Sequence, residues 1–162
     1  MTILHDGLRF LAAGLGCGWL PVAPGTWGSI ASLFPAWIIA HYVGYEALLI
    51  GSMAVLLLGC AICARLLPEL TEQDPAWIVI DEWAGQWLCL AICIPFLGAG
   101  IVSLVAAFAA FRLFDVWKPW PISALEHKGP AWWSIMADDV MAGLMGGAAV
   151  AGIITVAQQG GA

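Results

Sequence analysis

The sequence predicts an all-α protein, a small polytopic membrane bundle with four to five embedded helices, and three observations predict it. Only 10% of the 162 residues are charged and 62% are apolar, whereas soluble domains carry roughly 25% charge, so polar groups cannot cover the surface. The apolar stretches are rich in Ala, Leu, Gly and Trp and lack the period-two alternation of a membrane β-barrel. Thirteen of the sixteen charged residues fall between Arg65 and Glu82 or between Arg112 and Asp139. Segments 10–45, 47–64, 83–111 and 140–162 carry no formal charge at all. Residues 1–162 are expected to form a single membrane-embedded domain.

A short apolar helix is expected over Arg9 to Gly18, ended by the glycine-rich stretch and by Pro21-Val22-Ala23-Pro24-Gly25-Thr26. The next helix starts at Thr26 or Ser29, both good N-caps, and runs to about Tyr42. Ala47 to Leu67 and Trp77 to about Ile94 have the length that roughly 30 Å of hydrocarbon needs. Pro95-Phe96-Leu97-Gly98-Ala99-Gly100 turns the chain, and a returning helix spans Ile101 to about Trp117. Lys118-Pro119-Trp120-Pro121 breaks it, and a last helix runs from Ala131 to about Ala157.

Composition also excludes several classes. Cys17, Cys60, Cys63, Cys89 and Cys93 all lie in apolar stretches without the spacing of a zinc site or disulfide framework, so they serve as small hydrophobes. No basic stripe offers nucleic acid a footing. Residues 1–25 lack the basic start of a cleaved signal peptide.

Parity locates the chemistry. If the helix from Trp77 starts on one side of the membrane, the helix ending near Trp117 returns there and the helix holding Asp138 and Asp139 starts there. Asp81, Glu82, Asp115, Asp138 and Asp139 then share one leaflet with the Pro24-Gly25-Thr26 turn. The opposite side receives only Glu46 and His41. Arg65, Arg112, Lys118 and Lys128, with Arg9 beside them, fall on the acidic side, which the positive-inside rule makes cytoplasmic.

Carboxylates at membrane depth are costly unless used. Gly85 lies four residues beyond Asp81, and Gly143 and Gly147 repeat that relation to Asp139; such small-xxx-small spacing lets helices approach closely. Either feature alone signals packing or macrodipole compensation. Together they aim the acids at one another, and like charges in a low dielectric cannot all ionise unaided. A divalent cation resolves this, and hard oxygen donors without paired histidines or thiolates suit Mg²⁺ or Mn²⁺. Asp81, Glu82, Asp115 and Asp139 are the candidate metal ligands, and Asp138 or Asp139 the candidate base. Lys118, Arg112 and the Thr26 and Ser29 hydroxyls at a helix start are candidates to meet an anionic phosphate.

Four stretches resemble the motifs of bacterial phosphatidylglycerophosphatase A: Pro21-Val22-Ala23-Pro24-Gly25-Thr26-Trp27-Gly28-Ser29, Ile80-Asp81-Glu82-Trp83-Ala84-Gly85-Gln86, Phe111-Arg112-Leu113-Phe114-Asp115-Val116-Trp117-Lys118-Pro119-Trp120-Pro121-Ile122 and Met136-Ala137-Asp138-Asp139-Val140-Met141-Ala142-Gly143. The resemblance implies a Mg²⁺-dependent phosphatase of the inner membrane that converts the phospholipid phosphatidylglycerophosphate to phosphatidylglycerol. It further implies that Asp81, Glu82, Asp115, Lys118, Asp138 and Asp139 occupy functional positions. Two rival functions use similar residues. A phospholipid synthase of the alcohol phosphatidyltransferase type would carry Asp-x-x-Asp-Gly-x-x-Ala-Arg, which is missing. A cation or proton carrier would place acids along the whole membrane path.

Overall fold

The computed structural model describes residues 2–160 and is built from helices α1 (Thr2–Ala12), α2 (Pro24–Tyr42), α3 (Tyr45–Leu66), α4 (Ile80–Leu97), α5 (Ile101–Trp117), α6 (Ile122–Leu125) and α7 (Ala131–Gly160). No strand occurs among the described residues. The segments Tyr45–Glu69, Ile80–Leu97 and Ala131–Gly160 are long and apolar enough to cross a membrane. At about 1.5 Å per residue, α7 reaches about 45 Å, longer than the hydrocarbon it would cross.

The hub is α4, which packs against α2, α3, α5 and α7. In its apolar window 61% of residues are buried, against 33% in α3 and 22% in α7, so the outer helices turn most of their apolar surface outward. Ile50, Leu57, Leu58, Val102, Val105, Leu144, Ile153 and Val156 lie on those outward faces. Two hydrogen bonds stitch the hub to its neighbours. Trp87 Nε1 donates to the Ser32 carbonyl of α2 at 2.9 Å, and Ser52 Oγ of α3 donates to the Ala84 carbonyl at 2.8 Å. In a medium without water such backbone partners are worth holding.

Boundaries differ from expectation for local reasons. The first helix ends at Ala12 rather than continuing to Gly18, because Gly14, Leu15 and Gly16 all adopt positive φ, at 55°, 60° and 98°, and a right-handed helix cannot run through them. Helix α2 begins at Pro24, not at a Thr26 or Ser29 cap. Proline at the first helical position lacks only an N–H that would be unpaired anyway. Helix α4 begins at Ile80 rather than Trp77. The Val79 N–H is taken by the Ala12 carbonyl at 2.9 Å and Ile78 N–H by Pro75 at 2.9 Å. Asp81 and Glu82 therefore stand in the first turn of α4, facing the positive end of its dipole.

Helices α4 and α7 are held together by glycine, in the second turn of α4 and about three turns into α7. A Cβ on Gly143 would overlap the Gly85 carbonyl, and one on Gly85 would overlap the Asp139 carbonyl and the Phe111 ring. Backbone meets backbone there, so Asp81 on α4 and Asp139 on α7 sit one turn from a crossing with no room for a side chain. Gly143→Leu is expected to wedge the helices apart, costing at least the roughly 1–3 kcal/mol typical of overpacking and lowering the thermal unfolding temperature in detergent. Gly152→Leu, at a position with nothing within 4 Å, should leave that temperature unchanged.

Candidate active site

Helices α4, α5 and α7 and the loops beside them enclose a cavity of about 270 Å³ at one end of the bundle. Asp81, Glu82, Arg112, Asp115, Lys118, Asp138 and Asp139 all line it, with Pro24 and Gly25 from the start of α2 and Asp74 from the loop before α4. The opposite end of the bundle carries Glu46 and His41.

Arg112 is pinned by two carboxylates. Its Nη1 lies 2.8 and 2.7 Å from the two Glu82 oxygens and 2.7 Å from Asp115 Oδ2, one turn along α5. All three side chains are largely buried. Behind Glu82, the fully buried Ser29 hydroxyl lies 2.6 Å from Oε2, and it also sits 2.9 Å from the Gly25 carbonyl. A Cβ on Gly25 would overlap Glu82 Oε1, so the glycine lets α2 start directly against this carboxylate.

Lys118 forms a second unit. It caps α5 with φ 46° and ψ 52°, a left-handed conformation that a non-glycine residue adopts at some cost. From there its Nζ donates to Asp138 Oδ2 at 2.9 Å and to Glu126 Oε1 at 2.8 Å. Burial pulls the ammonium toward its neutral form, but the hydrogen bonds and charges of Glu126 and Asp138 outweigh it and raise the group above the ordinary lysine value. These partners therefore favour the charged form of Lys118.

The remaining two acids are different. Asp139 is 5% exposed, and among the described residues neither it nor Asp81 carries an ion pair. Asp81 Oδ1 accepts only the Glu82 N–H, at 2.9 Å. Six carboxylates in the cavity thus face two basic side chains, and both bases are already engaged. Such an imbalance at low dielectric is relieved by protons on the carboxylates or by a further cation. No three of the described histidine, cysteine, aspartate and glutamate side chains converge as a ready-made metal cage, so the four expected ligands do not close around one point. A two-carboxylate seat matches Mg²⁺, which keeps several waters and is completed by substrate phosphate.

The phosphatidylglycerophosphatase A family model matches residues 10–154. The chain belongs to this family. It is 38% identical over 141 residues to phosphatidylglycerophosphatase A of Haemophilus influenzae, covering 87% of this chain and 85% of that one. It is 33% identical over 137 residues to phosphatidylglycerophosphatase A of Escherichia coli, covering 85% and 77%. A candidate phosphatidylinositol-3-phosphatase of Bacteroides thetaiotaomicron is 35% identical over 140 residues, covering 83% and 85%. No solved structure matches the chain. Family membership makes this chain a phosphatase, a membrane hydrolase.

Of the residues singled out from sequence, seven line the cavity. Ser29 lies behind it, bonded to Glu82, and Thr26 is half-buried outside the lining. Sequence reasoning placed the turn holding Gly25 with the acids but missed Glu126, which shares Lys118, and Asp74 in the cavity wall. The visible signal was the Lys118-Pro119-Trp120-Pro121 break, which folds the following loop back over the lysine.

Arg112→Ala should leave Glu82 and Asp115 uncompensated and cost on the order of 3–5 kcal/mol, as breaking a buried pair does, read as a fall in thermal unfolding temperature. Because the raised Lys118 contributes stability in full below the ordinary lysine value and loses it only as pH climbs through the raised one, the stability difference between wild type and Lys118→Met should stay flat from about pH 7 to about pH 9. A difference that disappears over that interval would contradict the assignment.

Proposed function

We propose that this chain hydrolyses the terminal phosphomonoester of phosphatidylglycerophosphate to phosphatidylglycerol, with Mg²⁺, at the cytoplasmic face of the bacterial inner membrane. The observation that carries this is the pair Asp81, half-buried, and Asp139, buried, two carboxylates without basic partners that line one cavity with Arg112 and Lys118. The family's named relatives supply the lipid. The cytoplasmic assignment rests on Arg9, Arg65, Arg112, Lys118 and Lys128 all belonging to the cavity end of the bundle.

Acyl chains stay among the outward apolar faces of the helices while the phosphate enters the cavity at the interface. Asp81 and Asp139 would hold the ion, with Glu82 and Asp115, committed to Arg112, behind them. When bound, Mg²⁺ supplies Lewis acidity at the phosphoryl oxygens. Arg112 and Lys118 face the charge that builds on the phosphoryl group, and each is fixed in place beforehand by its carboxylates, so little reorganisation is needed as that charge develops. Asp138, held by Lys118 and by the Asp139 N–H at 3.1 Å, positions the attacking water and accepts its proton. The proton then passes to the departing glyceryl oxygen as its bond to phosphorus breaks.

An ion or proton carrier fits less well, because the acids gather at one end rather than along a path. A synthase would need a nucleotide-activated lipid, and incubation with one should yield no product.

Phosphate release from phosphatidylglycerophosphate should require Mg²⁺ and fall by about 10²-fold or more in Asp139→Asn and Lys118→Ala, with folding verified by thermal unfolding; near-normal rates in both would end the proposal. Because the ion competes with protons for carboxylates, Mg²⁺ should raise the unfolding temperature more at about pH 7 than at about pH 5.

A further inference from the structure

Beside the phosphate cavity lies a second one of about 380 Å³, within the range of small-ligand sites. The two share Asp74, Ile135 and Asp138 as a common wall. The outer walls of the second come from Gln73 in the loop before α4, Glu126 and His127 in the loop before α7, and Ser134 in the first turn of α7. No lysine or arginine lines it.

That lining decides what chemistry fits. Its three carboxylates share a single cation, Lys118, which is bonded to Glu126 and Asp138 from outside the lining, so the net charge around the cavity is negative and disfavours a second phosphate. An apolar group would cover the Asp74 carboxylate, the Gln73 amide and the His127 imidazole without giving them partners. A neutral, hydroxylated group suits them: its hydroxyls donate to Asp74 and Glu126 and accept from the Gln73 amide and whichever His127 nitrogen carries a proton. The shared wall sets the two cavities side by side, so a single ligand can fill both when only a few bonds separate its polyol from the phosphate in the first.

We propose that this second cavity is a polyol subsite, which takes the hydroxylated carbon skeleton bearing the terminal phosphate of a membrane lipid, and that Gln73 and His127 set the enzyme's headgroup selectivity. The inference rests on the phosphatase function above and deepens it. Glycerol in phosphatidylglycerophosphate and inositol in a phosphoinositide, the lipid class named for the Bacteroides relative, are both polyols. Lys118 links the chambers: it is bonded to Asp138 on the shared wall and to Glu126 on the far side, so polyol binding against Glu126 and phosphate binding beside Asp138 meet at one ammonium.

The test compares two lipids in mixed micelles, phosphatidylglycerophosphate and phosphatidic acid, whose phosphate sits directly on diacylglycerol with no polyol between. Wild type should favour the first in kcat/KM by about tenfold or more, the value of one or two well-made hydrogen bonds. Gln73→Ala/His127→Ala, at two exposed positions, should lose about that factor on phosphatidylglycerophosphate, chiefly through KM, and keep its rate on phosphatidic acid within about twofold. Equal losses on both lipids, or no loss on either, would overturn the polyol subsite while leaving the phosphatase in place. Absence of phosphate release from either lipid by the wild type would instead remove the phosphatase function, and the subsite with it.

Discussion

Where α4 crosses α7, Gly85 and Gly143 remove every side-chain atom from the contact, and the two backbones touch. Everything distinctive about this molecule follows from that approach. Helix association in lipid gains nothing from hiding apolar surface, because the solvent is equally apolar, so close backbone packing has to supply the attraction. The same glycines that permit it sit four residues from Asp81 and Asp139. Packing and chemistry are therefore not separable in these two helices: the crossing that holds the bundle together is also what sets two acids in one cavity.

Charge is the second constraint, and the cavity divides its carboxylates into two kinds. Glu82 and Asp115 are matched to Arg112, and Asp138 and Glu126 to Lys118. Each basic group thus arrives with two acids, which fixes its position and leaves it short of positive charge to spare. Asp81 and Asp139 are left over. A protein that only needed to satisfy its buried charges could have dispensed with both, since unpaired carboxylates at low dielectric are a cost with no structural return. Retaining them at the one place where α4 and α7 meet makes sense when the missing positive charge comes from outside the chain.

How much of this could be seen beforehand depended on the range of the interaction. Helical class and the main apolar segments were legible because hydropathy is summed over many residues and tolerates local error. The gathering of Asp81, Glu82, Asp115, Asp138 and Asp139 was legible through parity, which needs only the number of crossings. Helix starts were not. Pro24 opens α2 although Thr26 and Ser29 are better caps, and Val79 ends its loop because α1, distant in sequence, claims its N–H. The role of Ser29 was likewise hidden, since its partner Glu82 lies 53 residues away. Glu126 escaped notice because the Lys118-Pro119-Trp120-Pro121 break marks a loop that folds back without marking which of its residues meets the lysine eight positions earlier.

The position of the cavity along the membrane normal completes the argument. A lipid phosphate cannot be drawn to mid-bilayer without losing its hydration, and a soluble pocket cannot receive acyl chains, so chemistry on a lipid headgroup belongs at the interface. Here Asp81 and Glu82 stand in the first turn of α4, Arg112 and Asp115 near the end of α5, and Asp138 and Asp139 about two turns into α7, yet all of them line the one cavity. Deeper along the same helices the sequence is uncharged, and Ala, Leu, Cys and Gly fill the contacts. The bundle thus supplies an apolar shaft suited to lipid, with its charged side chains gathered at one end. Loops 67–79 and 118–130 bring further acids to that end: Asp74 lines both cavities and Glu126 the outer one, where it shares Lys118 with Asp138, so the ammonium at the end of α5 ties loop and helix into one charged mouth.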